Sequence, residues 1–209
     1  MAVVARQSAD ASWADVTLAL SPGKIVGLEG PAGRGLTRLG LSLLAAPSRV
    51  GMVVVIDARG WFSPLAAWEV GVQAHRLVVV RCSEGRLWPQ VTAAVLEGVA
   101  AVYAEIPAGV GESQLRRLAA LNRARKSGLA LRPLRGGLPS GVAHVRIKGT
   151  GVEWEGPDHG HGCLGSRQLQ FEMTGKSIPP QEFVLQEEEA GADIVRVVSG
   201  LASRSIVSG

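Results

Sequence analysis

The sequence predicts an α/β fold with a mainly parallel central sheet that is extended by antiparallel strands near its C-terminal end. Three observations carry this reading. A buried-looking strand at Lys24–Glu29 runs through a glycine-rich turn into a leucine-rich stretch at helical spacing. Continuous β-branched runs then alternate with helical segments, as strands covered on both faces require. After Leu131 the pattern changes to short strand-like segments separated by Gly and Pro.

The elements follow in chain order. Residues 1–23 form a short leader punctuated by Ser12, Asp15 and Pro22. The first strand leads into Gly30-Pro31-Ala32-Gly33-Arg34-Gly35, and Leu36, Leu39, Leu41, Leu43 and Leu44 place a helix after it that Pro47 ends. Met52–Asp57 reads as a second strand, with Asp57 at its carboxyl end, and Pro64 opens a helix because proline has no first-turn hydrogen bond to lose. Leu77–Val80 gives a third strand, Pro89–Gly98 a helix and Ala101–Ile106 a fourth strand. Glu112–Ser127 is an amphipathic helix: Leu115, Leu118, Ala119 and Leu121 make its apolar stripe, and Arg116, Arg117, Arg123, Arg125 and Lys126 surround the rest. That basic face is read either as a solvated surface or as a contact for DNA or an acidic partner, together with Arg135. Short strands are expected at Ala143–Lys148, Gly151–Trp154, Gln168–Thr174 and Glu182–Gln186. The core domain is thus placed at residues 24–186, and residues 187–209 form a tail that orders on a partner.

Composition sets the outer bounds. The chain has 209 residues, enough for one core that hides roughly 70% of the unfolded surface. Two cysteines, Cys82 and Cys163, cannot build a disulfide framework, and the absence of a signal-peptide pattern makes a cytoplasmic location the expectation. The apolar runs are all shorter than the roughly 20 residues needed to span a bilayer, so no membrane association is expected. The net charge of +4 permits weak attraction to nucleic acid or an acidic protein without requiring either.

The glycine-rich turn matches a phosphate loop in all but one essential. Such a loop reads G-x-x-x-x-G-K-[ST]: backbone N–H groups cradle the phosphates, the lysine reaches the terminal oxygens and the hydroxyl holds magnesium. Here Gly30, Gly35 and Thr37 are in register, Gly33 and Arg34 lie between, and Leu36 stands at the lysine position. An apolar side chain there brings no charge to a triphosphate, so nucleotide affinity should fall sharply. Arg34 is the nearest replacement cation, although a rigid guanidinium is a poor substitute for a flexible ammonium.

With these residues in view, the chain resembles the RecA recombinase superfamily, and more closely its small bacterial relatives of the ImuA family, in the primed form found in actinobacterial mutagenesis cassettes. The windows that carry the resemblance are Ile25–Pro31 leading into the degenerate loop, Val55-Ile56-Asp57-Ala58-Arg59 with Pro64 following, and Val145–Gly156. The resemblance implies a RecA-like phosphate-loop core over residues 24–186. It also implies that the place of the recombinases' water-activating glutamate is taken by Arg59, and that Glu105, on Val102–Ile106, retains the carboxylate of the magnesium-ordering position. With neither lysine nor general base, the expectation is a protein without ATPase activity and without a cofactor. The interval from Glu105 to His144 is expected to hold mostly one helix, with Leu131–Pro139 as the remnant of a DNA-gripping loop, and filament formation is not expected.

Two other constellations have simpler readings. His159-Gly160-His161-Gly162-Cys163 has spacing unlike a zinc site and reads as a glycine-rich hairpin turn. Trp61-Phe62 and Trp154 are read as core edges or partner anchors, with base stacking as the alternative.

The functional expectation drawn from the resemblance is an adaptor in damage-induced mutagenesis. Its partner would be ImuB, an inactive relative of Y-family polymerases, and through it an error-prone replicative-type polymerase and the sliding clamp, with association at the nucleoid after DNA damage. The tail residues Ile194, Val195, Val197, Val198, Leu201 and Ile206 are the expected contact with ImuB. The alternatives are a weak ATP-dependent switch and a module that binds DNA or RecA.

Overall fold

The computed structural model describes residues 20–155, 166–176, 178–188 and 196–198. Nine strands form one sheet in the order β3-β2-β4-β5-β1-β6-β7-β8-β9. Strands β1 (Ile25–Glu29), β2 (Val53–Asp57), β3 (Leu77–Arg81), β4 (Ala101–Ile106), β5 (Gly128–Pro133) and β6 (Val145–Glu155) are parallel to one another. Strands β7 (Ser166–Gly175), β8 (Ile178–Glu188) and β9 (Arg196–Val198) add antiparallel beyond β6. The predicted fold class is therefore the observed one.

The period-two pattern of the parallel strands divides the core in two. Leu28, Val53, Val55, Tyr103 and Ala130 face one side, where α1 (Leu36–Ser42), α2 (Ala45–Ser48) and α3 (Pro64–Trp68) pack. Ile25, Val54, Ile56, Val102, Ala104, Leu129 and Leu131 face the other, under α4 (Trp88–Val95) and α5 (Glu112–Arg125). This is why β2 reads as an unbroken Val-Val-Val-Ile run: both of its faces are covered.

Several expected elements take different forms. The leucine-rich helix stops at Ser42, and Pro47 lies inside the one-turn helix α2, where its missing N–H breaks no hydrogen bond. Met52 precedes β2, and α4 begins at Trp88 and ends at Val95. The largest departure is β5. The interval after Glu105 contains a helix and a fully buried strand, inserted between β4 and β1 at the centre of the sheet. The two short strands expected around Lys148 and Trp154 are one strand, β6, interrupted by an irregularity between Gly149 and Gly151.

Strand β8 starts earlier than expected, with Pro179 and Pro180 beside a register shift where ladder bonds are already broken. It continues through Glu188, and β9 pairs Val197 with Leu185 and Val198 with Val184, so the sheet runs past the expected core boundary at Gln186. The other tail residues singled out above, Ile194, Val195, Leu201 and Ile206, lie outside the described residues, as does the His159–Cys163 turn.

No helix among the described residues is long and apolar enough to cross a membrane.

Candidate functional site: a degenerate phosphate loop

The parallel strands deliver their carboxyl ends to one edge of the sheet, the usual place for a ligand in an open α/β fold. The loop after β1 sits there. Its three glycines have φ of 134° at Gly30, 82° at Gly33 and 72° at Gly35. Gly35 is the most constrained: a Cβ on it would lie 2.4 Å from Leu169 Cδ1 of β7. The antiparallel extension therefore forms a wall against the loop. Gly149 does the same from β6, since a Cβ there would meet Arg34 Cβ at 2.7 Å, which places the Arg34 stem across that strand. Gly33 lies exposed at the loop's outer part.

Leu36, at the lysine position, is 1% exposed and belongs to the larger core. The apolar side chain has become part of the packing. Thr37 accepts a hydrogen bond from Arg132 Nη1, which comes from the end of β5. Arg132 is buried, and its Nε has no hydrogen-bond partner among the described residues. The Tyr103 hydroxyl lies beside Arg132 and Thr37 without a well-formed hydrogen bond of its own. Burial raises the pKa of Tyr103, and the Arg132 charge partly opposes the shift.

Glu105, buried at the end of β4, is held by Arg59. Arg59 Nε donates to Glu105 Oε2 at 3.0 Å and Nη2 donates to Oε1, a bidentate pair. Burial pulls the Arg59 pKa down, but the hydrogen bond and charge of Glu105 outweigh it, and the net shift is upward. The Arg59 guanidinium also stacks over Trp61, 4.7 Å from its ring centre. Trp61 is 70% exposed, whereas Phe62 packs against the core.

Asp57 fixes this arrangement from below. Its Oδ1 accepts from the N–H groups of Arg59 at 3.1 Å and Gly60 at 2.8 Å, and its Oδ2 from Phe62 N–H at 3.0 Å. A buried carboxylate that accepts three backbone N–H groups, with Arg81 Nε 3.9 Å from its Oδ2, shapes the turn that carries Arg59.

A magnesium nucleotide requires a flexible cation, a free hydroxyl and an open carboxylate in this space. Leu36 is apolar, Thr37 is bonded to Arg132 and Glu105 is chelated by Arg59. The residues present do not fit that group.

The other predicted residues lie elsewhere. Arg116, Arg117, Arg123 and Arg125 are on α5, across the sheet from the loop. Arg135 is exposed in the β5–β6 connection. That connection, expected as a DNA-gripping remnant, is tied down: Arg146 Nη1 reaches Glu29 Oε1 at 2.5 Å and Leu138 O at 2.9 Å, and Leu138 N–H donates to Glu29 Oε1 at 3.0 Å. Sequence reasoning missed Arg132 and the structural role of Asp57. For Asp57 the available signal was the Asp-Ala-Arg-Gly turn; for Arg132, an arginine closing an apolar Leu-Ala-Leu run was the only trace.

Comparisons with known proteins bear on the family and the fold. The family model described as the MT3502 N-terminal domain matches residues 16–135. The chain belongs to the MT3502 N-terminal domain family. The matched segment of this family member takes in β1, the degenerate loop, β4 and β5. Among solved structures, the crystal structure of the RadB recombinase is similar with a TM-score of 0.60 at 16% identity, covering 88% of this chain and 98% of that one. The fold is therefore RecA-like. No curated protein matches the sequence significantly.

Proposed function

We propose that this chain is a non-catalytic adaptor of the bacterial translesion-synthesis machinery, of the ImuA type, and that it binds ImuB. The observation that carries the reading is the bidentate Arg59–Glu105 pair. It uses up the buried carboxylate with a cation at the position that the resemblance matches to a recombinase's general base, while Leu36 fills the lysine position with core packing. A RecA-like core so filled acts as a rigid platform. The segment beyond β8, with Ile194, Val195, Val197, Val198, Leu201 and Ile206, supplies apolar residues for docking on ImuB, and contact with the error-prone polymerase and sliding clamp is indirect.

The experiment is calorimetric titration of the full chain with purified ImuB and, separately, with ATP and magnesium. The expected result is ImuB binding, lost on deletion of residues 189–209, and no ATP binding at millimolar concentration. Retained ImuB binding after the deletion refutes docking through the tail; ATP binding without ImuB binding refutes the adaptor. A second reading, a weak ATP-gated switch, is favoured by one observation: the buried Arg132 guanidinium, with Nε unpartnered, lies beside Thr37 of the loop. Turnover abolished by Thr37→Ala would support it.

A further inference from the structure

On the face of the sheet opposite the loop, α4 and α5 leave a cleft of about 380 Å³ between them. Pro89, Gln90 and Ala93 come from α4, and Gln114, Arg117, Leu118 and Leu121 from α5. The α5 residues follow the spacing i, i+3, i+4, i+7, so they form one continuous stripe along that helix. The space is at the low end for a ligand pocket, enough for about one or two large side chains.

The floor and rim differ in chemistry. Ala93, Leu118 and Leu121 make the floor apolar. Gln114 is already committed, because its Oε1 accepts the Gly111 N–H at 2.8 Å in capping the helix. Arg117 is exposed and makes no ion pair among the described residues.

Two other arginines of α5 are engaged. Arg116 pairs with Glu112 on the same helix, and Arg125 Nη2 reaches Glu97 Oε1 at 2.6 Å. Those two pairings reduce the basic appearance that the sequence gives to α5. A polyanion is gripped by a row of available cations along its backbone. The cleft instead offers one uncompensated guanidinium above an apolar floor, which complements a segment carrying large apolar side chains beside a carboxylate.

We infer that the α4–α5 cleft is a docking site for an acidic peptide segment of a protein partner, with apolar side chains seated on Leu118 and Leu121 and a carboxylate paired with Arg117. The cleft is lined by residues of the two helices alone, and the inference does not depend on how the tail docks. A bidentate carboxylate–guanidinium contact sets the register of the segment, and the apolar floor supplies burial.

Phage-displayed random peptides of about 12 residues, selected on the immobilised full chain, test this. The enriched peptides are expected to combine Leu, Phe or Trp with Asp or Glu. A synthetic copy of the best peptide should lose about tenfold or more in affinity for Arg117→Glu, a change at an exposed position that leaves the fold intact, and for Leu121→Ser. Replacing its carboxylates with lysine should restore affinity for Arg117→Glu. Absence of enrichment, enrichment without acidic residues, or affinities indifferent to both substitutions would overturn the inference. So would preferential binding of single-stranded oligothymidylate that Arg117→Glu removes, which would make the face a nucleic-acid contact.

Discussion

Leu36→Lys returns to the loop the residue that a phosphate-binding turn carries there, and it does so in a core that has closed around leucine. Leu36 is 1% exposed and packs in the larger apolar cluster. Removing its burial forfeits about 2–3 kcal/mol. The new ammonium must then either lose its proton or stretch toward the loop surface, and both add to the penalty. A net loss of about 2–4 kcal/mol is expected, against a total stability of roughly 5–15 kcal/mol. For a chain of this size each kcal/mol moves the melting temperature by about 2–4 °C, so the variant should melt roughly 5–15 °C lower. Thermal melts by circular dichroism measure the shift, and calorimetry with ATP and magnesium should still show no binding, because Arg59 continues to chelate Glu105. A variant as stable as the parent that binds ATP would refute the reasoning: the loop would then be an intact nucleotide cradle lacking only a charge.

Three further outcomes follow from the geometry. Glu105→Gln leaves the Arg59 guanidinium without its counter-charge and should cost about 1–3 kcal/mol in urea denaturation, discounted because Arg59 is partly exposed, whereas the Arg59→Met/Glu105→Met double variant should be closer to neutral. His144 Nδ1 accepts the Ile25 N–H at 3.1 Å, and burial, then Lys24, Arg123 and Lys176, lower its pKa. The unfolded chain therefore takes up the proton first, so the stability contribution is present above the ordinary histidine value of 6.5 and is lost as pH falls from there toward the lower folded value. Denaturation midpoints between pH 5 and 7 should fall with acidity, and His144→Gln should flatten that slope. Gly35→Ala drives a Cβ to 2.4 Å from Leu169 Cδ1 in a left-handed backbone, and about 2–4 kcal/mol should be lost; adding Leu169→Ala should recover the steric part, and additive losses in melting experiments would show that the contact is not responsible.

Much of the fold was legible because local patterning and burial agree. The Val-rich β2 run and the strand–loop–helix unit each announce their environment within a few residues. Strand β5 did not. Its Leu-Ala-Leu segment lacks β-branched residues and closely follows a helix that ends at Arg125 and is capped by Lys126, in the left-handed conformation at φ 55°, so nothing local distinguished it from a loop. The site divided in the same way. Leu36 at the lysine position could be read from the spacing of the loop, whereas matching Arg59 to the recombinases' glutamate rested on the resemblance.

That Arg59 grips Glu105 across 46 residues of sequence could not be read from either residue. Nor could the Arg132–Thr37 contact, which exists because β5 lies between β4 and β1 and brings its end beside the loop. The amino-acid order by itself determined the α/β class, the glycine-rich turn and the absence of its lysine, because these depend on neighbours a few positions apart. Which carboxylates and cations neutralise one another, and which arginine of α5 remains uncompensated above an apolar cleft, was decided only by the tertiary structure. Electrostatic pairing acts through space, and strand order sets those distances.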